Sequence, residues 1–94
     1  MAETTLYLVA YDIPSDRRRN KIHKILCGFG KWTQYSIFEC FLTEKEMVAL
    51  RGRLDDVLDR KEDNVRFYHV CRSCQHKATS IGSDPPREDM VYLL

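Results

Sequence analysis

The sequence predicts one α+β domain in which two helices cover one face of a four-stranded antiparallel sheet. The chain has 94 residues, of which 44% are hydrophobic, and this suits a single domain with a modest two-layer core. Apolar alternation typical of strands occurs before, between and after two stretches with helical spacing of apolar residues. The resulting order, β-α-β-β-α-β, is the ferredoxin-like plan, and we expect it over residues 1–78.

The first strand is expected over residues 5–13, where apolar side chains occupy both alternating faces. Pro14 keeps the residue before it extended, so the strand has to end there. Ser15 or Asp16 can then cap a helix that starts at once. The carboxylate of Asp12 therefore stands at the end of a buried strand and just ahead of a helix.

The first helix is expected over residues 15–27, and it begins with an unusual run of positive charge. Arg17, Arg18 and Arg19 occupy its first turn, where the helix dipole disfavours cations. Such a run is usually a solvated helix face. However, the free N–H groups at this end of a helix bind anions readily, and arginine forks onto phosphate oxygens. A phosphate-binding surface is therefore the alternative interpretation.

The segment after this helix is expected to contain two short antiparallel strands. Gly28 and Gly30 are expected to end the helix in a left-handed conformation. Residues 32–42 are rich in aromatic and β-branched residues, but the apolar alternation changes phase in the middle. A change of phase requires a bulge or a tight reversal. One kinked strand is the alternative to two short ones.

The second half of the chain supplies a helix and a strand. A capping box, Thr43-Glu-Lys-Glu46, starts the helix, whose apolar face is expected to continue to about Asp59. The next strand is expected over residues 65–71. The polar stretch 75–88 is typical of a linker or loop, and residues 90–94 are long enough for one further short strand.

The second face of the sheet also carries tyrosines and other apolar side chains, and two helices cannot cover both faces. A second copy of the chain, related by a two-fold axis, is the economical cover. We therefore expect a sheet-to-sheet homodimer. Residues 79–94 are expected to form a linker and an extra C-terminal strand that packs on the dimer.

The four cysteines are expected to be reduced thiols. No signal peptide is apparent, so the cytoplasm is the default location, and the first apolar run is too short to span a membrane. Cys27 and Cys40 lie in apolar patterns and are expected in the core. Cys71 and Cys74 form a C-x-x-C pair, but a second pair of metal ligands is missing and no start-of-helix setting is expected. Neither a metal site nor a redox site is therefore predicted there.

Asp12 is the candidate metal ligand. A turn or capping aspartate is the ordinary explanation, but the residues at 15 and 16 can already cap the helix. Magnesium sites on phosphate substrates commonly use one or two carboxylates, with water and phosphate oxygens as the other ligands. The same aspartate from two chains would supply two carboxylates, and such a metal activates water at a phosphodiester.

The candidate phosphate-binding residues are Arg17, Arg19 and Lys21, with Lys31 as a weaker candidate. Arg18 continues the buried stripe of the first helix, so we expect it to pair with a local carboxylate, either Asp12 or Asp16. A small-molecule regulatory domain is a further possibility, but it requires a polar pocket that the sequence does not announce.

Four motifs resemble those of the small CRISPR-associated endonuclease family of spacer acquisition, the Cas-two family: Tyr-Leu-Val-Ala-Tyr-Asp12-Ile, Asp16-Arg-Arg-Arg-Asn-Lys21, Gln34-Tyr-Ser-Ile-Phe-Glu39-Cys, and Val65-Arg-Phe-Tyr with a late C-x-x-C. The match runs in register from about residue 5 to residue 75. The resemblance implies a ferredoxin-like homodimer in which Asp12 of both chains binds Mg²⁺ and is catalytic.

The resemblance further implies a magnesium-dependent endonuclease that cleaves phosphodiester bonds of RNA or DNA in spacer acquisition for antiviral defence. Its expected partners are nucleic acid and a CRISPR integrase. The family's basic residues at the helix start correspond to Arg17 through Lys21. The alternative function is a non-catalytic scaffold that binds double-stranded DNA and bridges the integrase in the adaptation complex.

Overall fold

A computed structural model of the chain describes residues 3–82. Its elements are, in order, β1 (Thr5–Asp12), α1 (Asp16–Cys27), β2 (Lys31–Gln34), β3 (Ile37–Leu42), α2 (Glu44–Asp55), β4 (Asn64–Val70) and α3 (Arg72–His76). The four strands form one sheet in the order β2-β3-β1-β4, and each neighbouring pair is antiparallel. The predicted α+β, ferredoxin-like fold is confirmed. The C-terminal strand expected at 90–94 lies outside the described residues.

The core lies between α1, α2 and one face of the sheet. Its strand residues alternate along β1 and β3, so their side chains share one face of the sheet. The most deeply buried members, none more than 2% exposed, are Val9, Ile22, Leu26, Phe38, Cys40, Leu42, Leu50 and Leu54. Each fully buried Leu or Ile stabilises the fold by about 1.5–3 kcal/mol. None of the helices within residues 3–82 is long and apolar enough to cross a bilayer.

The two ends of α1 are determined by different local features. Ser15 is the N-cap, and its hydroxyl accepts a hydrogen bond from the backbone N–H of Arg18 at 3.3 Å. The predicted left-handed stop is wrong, because Gly28 is right-handed, with φ −82°. Gly30 is required for a different reason: a Cβ there would lie 2.3 Å from the Cys40 sulfur. The chain therefore needs glycine where it passes against β3.

The phase change between β2 and β3 arises from both predicted features, a tight reversal and an irregularity in the strand pairing. The two short strands are joined by a tight reversal in which Tyr35 has a φ of +45°. The pairing register between the strands also shifts between Trp32 and Gln34. The prediction of two short strands is confirmed.

Two element boundaries differ from the sequence expectation. α2 ends at Asp55, before the expected Asp59, and two later apolar residues still pack against the core without being helical. A short helix, α3, follows β4 where a linker or loop was expected. Its first turn is capped by a cysteine sulfur and none of its residues is buried, so no apolar periodicity indicated it.

Candidate functional site

Asp12 lies at the end of β1 on the sheet face that the helices leave open. Its neighbours in β1, Tyr11 and Val9, belong to the core, so the alternating side chain of Asp12 points to the opposite face. It is exposed, and its cross-strand partner in β4 is Asn64. None of the ion pairs found within residues 3–82 uses the Asp12 carboxylate. The carboxylate is therefore available to a ligand.

A shallow cleft of about 260 Å³ surrounds this carboxylate, and alternate residues of β4 form its far wall: Asn64, Arg66 and Tyr68. The guanidinium of Arg66 lies 3.5 Å from the hydroxyl of Tyr68. None of these three side chains was expected at the site from the sequence. Only the β1–β4 register places them beside Asp12.

The donors at this cleft suit magnesium in type but are too few in one chain. A carboxylate and an amide oxygen are hard ligands of the kind that Mg²⁺ prefers. Within residues 3–82, no group of three or more His, Cys, Asp or Glu residues is arranged to hold a metal ion. A magnesium site at Asp12 therefore needs oxygens from outside the chain, supplied by a second copy, by water or by a phosphate substrate.

Arg18 does not pair with Asp12 or Asp16, and that prediction is wrong. Its Nε and Nη2 atoms donate to the two carboxylate oxygens of Asp63 at 2.7 and 3.1 Å, and Nη2 also reaches Glu62 at 3.2 Å. The Asp63 side chain is fully buried. The Arg18 hydrogen bonds, helped by the backbone N–H of Asp59, hold the pKa of the Asp63 carboxyl below its usual value. Arg18 is thus a structural residue that ties α1 to the loop before β4.

Arg19 lies at the junction of β1 and α1. Its Nη1 donates to the backbone carbonyl of Ile13 at 3.0 Å, one residue beyond Asp12, and its Nη2 pairs with Asp16. The side chain is 39% exposed, so its outer face remains accessible to solvent. Arg19 therefore ties the start of α1 to the end of β1.

Arg17 and Lys21 are exposed and take part in no ion pair among residues 3–82. Together with Ser15 they line a cleft of about 270 Å³ between the start of α1 and the end of α2. The free N–H groups of the helix start lie at the same place. Among the predicted basic residues of α1, these two are exposed, whereas Arg18 and Arg19 are partly buried.

Lys31 lies at a different part of the surface. It is exposed on β2 and opposite Glu39, whose pKa is raised by burial although Lys31 opposes the shift. In the sheet, its register position is about 13 Å along and about 10 Å across from that of Asp12. The exposed rings of Trp32 and Tyr35 lie in the same hairpin. Lys31 and Asp12 therefore cannot contact the same phosphate.

His23 is a structural residue of the core boundary. Its Nδ1 lies 3.0 Å from the hydroxyl of Tyr11, and its ring packs edge-on against Phe38 at a centroid distance of 5.1 Å. Burial raises the pKa of the Tyr11 hydroxyl. These contacts account for His23 without a catalytic role.

The cysteines are only partly where they were expected. Cys40 is buried, and burial raises the pKa of its thiol to about 12. Cys27 is exposed, so its predicted core position is wrong. Cys71 is the N-cap of α3 and Cys74 lies in its first turn, so a start-of-helix setting exists where none was expected.

Comparison with known proteins gives a consistent likeness over the whole described fold. The family model described as CRISPR associated protein Cas2 matches residues 5–78. A Synechocystis protein named CRISPR-associated endoribonuclease Cas2 3 is 48% identical over 83 residues, which cover 86% of this chain and 87% of that protein. A Thermus thermophilus protein named CRISPR-associated endonuclease Cas2 2 is 46% identical over 88 residues, or 94% of this chain and 96% of its own length.

A solved structure supports the same likeness. The crystal structure of Streptococcus pyogenes Cas2 at pH 6.5 is 30% identical to this chain with a TM-score of 0.71, and the alignment covers 82% of this chain and 99% of that one. The range matched by the family model includes β1, with Asp12 at its end, and the basic start of α1.

Proposed function

Because this chain belongs to the CRISPR-associated Cas2 family, we propose that it is a magnesium-dependent endonuclease that cleaves phosphodiester bonds in spacer acquisition. The observation that carries the proposal is the exposed Asp12 carboxylate, which lies at a strand end on the open sheet face and outside every ion pair among residues 3–82. One relative is named an endoribonuclease and another an endonuclease. Both RNA and DNA are therefore proposed as substrates.

The proposed enzyme is a homodimer whose two open sheet faces pack together. This face carries apolar residues of β1 together with the Tyr68 side chain, which is 49% exposed. Asp12 lies on the same face, so two-fold packing near it brings Asp12 of the partner subunit close and supplies a second carboxylate. The exposed tyrosine and the incomplete single-chain donor set both support this arrangement.

In the proposed mechanism, Asp12 from each protomer would hold Mg²⁺, and the amide oxygen of Asn64 would be a further donor. When bound, the metal neutralises charge at the scissile phosphate and lowers the pKa of water. Arg66 adds a fixed positive charge to the same cleft. Arg17 and Lys21 bind phosphates further along the strand, and Arg19 keeps the β1–α1 junction in place.

The second candidate function is a non-catalytic scaffold that binds double-stranded DNA and bridges a CRISPR integrase. The specific observation in its favour is that Arg17 and Lys21 are exposed at the start of α1, outside the Asp12 cleft. In this function the basic residues matter and Asp12 does not. Binding then depends on phosphate contacts, and its affinity falls steeply with salt.

Replacing Asp12 with asparagine distinguishes the two functions. Labelled RNA and DNA are incubated with the wild type, Asp12→Asn and the control Asp55→Asn, each with Mg²⁺ and with a chelator. Asp55 is an exposed carboxylate on α2, paired only with Arg60 among residues 3–82. The nuclease proposal expects Asp12→Asn to cleave no faster than wild type without metal, while Asp55→Asn keeps wild-type activity.

The dimer and the fold are checked in the same preparations by light scattering and circular dichroism. Equal metal-dependent cleavage by wild type and Asp12→Asn would falsify the nuclease proposal. A spacer-acquisition assay then tests the scaffold: the scaffold function expects normal acquisition with Asp12→Asn and impaired acquisition when Arg17 and Lys21 are both replaced by alanine. Normal acquisition with that double variant contradicts the scaffold.

A further inference from the structure

Cys71 and Cys74 form a contacting pair of exposed thiols that the proposed nuclease does not use. The sulfur of Cys71 accepts a hydrogen bond from the backbone N–H of Cys74 at 3.4 Å. Both residues are exposed, at the start of α3 directly after β4. The backbone of Cys74 thus contacts the Cys71 sulfur, and solvent reaches both thiols.

The contacts within the pair distinguish the two thiols. The backbone N–H and the thiol of Cys74 both lower the pKa of Cys71, and the contact with Cys71 raises the pKa of Cys74. Because α3 has only five residues, this difference comes from individual donors rather than from a helix dipole. The thiolate is the nucleophilic form of cysteine, so Cys71 is the attacking thiol and Cys74 the resolving thiol.

We propose that Cys71 and Cys74 are a redox-active dithiol that reacts with small-molecule disulfides and closes into an intrachain disulfide. The Cys71 thiolate attacks one sulfur of glutathione disulfide, the S–S bond breaks, and one glutathione leaves as its thiolate. Cys74 then gives its proton to that thiolate and attacks the Cys71 sulfur, and the mixed disulfide bond breaks. The second glutathione leaves as its thiolate and takes up from water the proton that Cys71 had released. The protein dithiol is oxidised by two electrons, and the small disulfide is reduced to two thiols.

The other two cysteines lack what this reaction needs. Cys40 is buried in the core, and the pKa of its thiol is about 12. Cys27 is exposed, but it has no hydrogen bond to a second thiol within residues 3–82, so its reaction stops at a mixed disulfide. A metal centre at the pair is disfavoured, because no third ligand of the His, Cys, Asp or Glu type joins it within residues 3–82. The pair is therefore assigned to thiol–disulfide exchange.

The test uses the full chain carrying Cys27→Ser, which removes the other exposed thiol. The reduced protein is treated with excess glutathione disulfide, trapped with an alkylating reagent and weighed intact by mass spectrometry. We expect the treated protein to lack the two thiol hydrogens of the pair and to carry no glutathione. Dithiothreitol is expected to restore both thiols. The further variant Cys74→Ser is expected to retain one glutathione on Cys71, because nothing resolves the mixed disulfide.

The variant Cys71→Ser keeps an N-cap oxygen for α3 and is expected to react more slowly than Cys74→Ser, because it lacks the attacking thiol. Circular dichroism checks that every variant is folded. The proposal is overturned if the Cys27→Ser protein keeps a stable glutathione adduct like that of the Cys74→Ser variant, or if the Cys27→Ser protein does not react. Equal reaction rates for Cys71→Ser and Cys74→Ser would refute the assigned order of attack.

Discussion

Replacing Gly30 with alanine is expected to destabilise this domain through a steric conflict in its core. The new Cβ would lie 2.3 Å from the sulfur of Cys40 and 2.6 Å from the backbone oxygen of Glu39, where ordinary contacts are 3.4–4 Å. Cys40 is fully buried, and the Glu39 oxygen belongs to β3, so neither atom moves aside easily. Overpacking of this kind costs about 1–3 kcal/mol, and two close contacts favour the upper half of that range.

Gly52→Ala is the matched control, and its expected effect has the opposite sign. Gly52 lies inside α2, and an added Cβ meets nothing within 4 Å. Alanine is favoured over glycine in a helix interior by about 0.5–1 kcal/mol. The same substitution should therefore destabilise at one position and stabilise at the other.

Urea denaturation of the wild type and both variants measures these changes, at one protein concentration because the proposed dimer would make stability depend on concentration. A change in midpoint at constant slope gives the change in the free energy of unfolding. A loss of about 2 kcal/mol corresponds to a fall in Tm of roughly 8–16 °C for a domain of this size. If Gly30→Ala unfolds within about 0.5 kcal/mol of wild type, the outer limit usual for neutral surface changes, the steric reasoning is refuted.

Three further predictions follow from the ion pair, the basic helix start and the helix cap. The pKa of Asp63 lies below its unfolded value of 3.8, so its stabilising effect is present above that pH and is lost as the pH falls through the folded-state pKa. When denaturation midpoints are measured at decreasing pH, the midpoint of Asp63→Asn should fall less steeply than that of the wild type. The midpoint of the exposed-site control Asp55→Asn should fall as steeply as that of the wild type. Arg17→Ala should lower the salt slope of duplex binding by about 0.9 and leave Tm unchanged, whereas Arg18→Ala should lower Tm. The reverse pattern contradicts the assignment. Thr43→Ala removes the hydroxyl that accepts a backbone N–H at 3.1 Å and should cost about 0.5–2 kcal/mol in urea denaturation, and no loss would show that the cap is dispensable.

Arg18 illustrates where sequence reasoning selected the right residue and the wrong partner. Its place on the apolar stripe of α1 correctly indicated a partly buried, paired arginine. The sequence suggested nearby carboxylates as partners, but Asp63 lies 45 residues away. In the sequence, nothing distinguished it from the other charged residues of its loop. Helical periodicity gives the direction of a side chain relative to its own helix. It contains no information about which distant loop that side of the helix meets.

For the cysteine pair, the sequence revealed the spacing of the two residues but not their structural setting. The C-x-x-C spacing was visible in the sequence, but its setting was predicted as a strand end followed by a linker. The structure contains a single helical turn there, capped by the Cys71 sulfur. A helix of five residues buries no apolar stripe, so the signal used to find helices was absent. The hydrogen bonding that gives the two thiols different pKa values is formed within that turn.

The sequence by itself determined the four strands, the two long helices and their order, because strand alternation, helical spacing, proline and the capping residues act over a few positions. It also placed Asp12 at a strand end beside a basic helix start. Only the tertiary structure decided which side chains share the site. The antiparallel register sets Asn64 across from Asp12, and β3 lies between the strands that carry Lys31 and Asp12. The packing of α1 against the loop before β4 places Arg18 in an ion pair with Asp63. The physical reason is that contacts between distant segments depend on how the sheet pairs and packs as a whole.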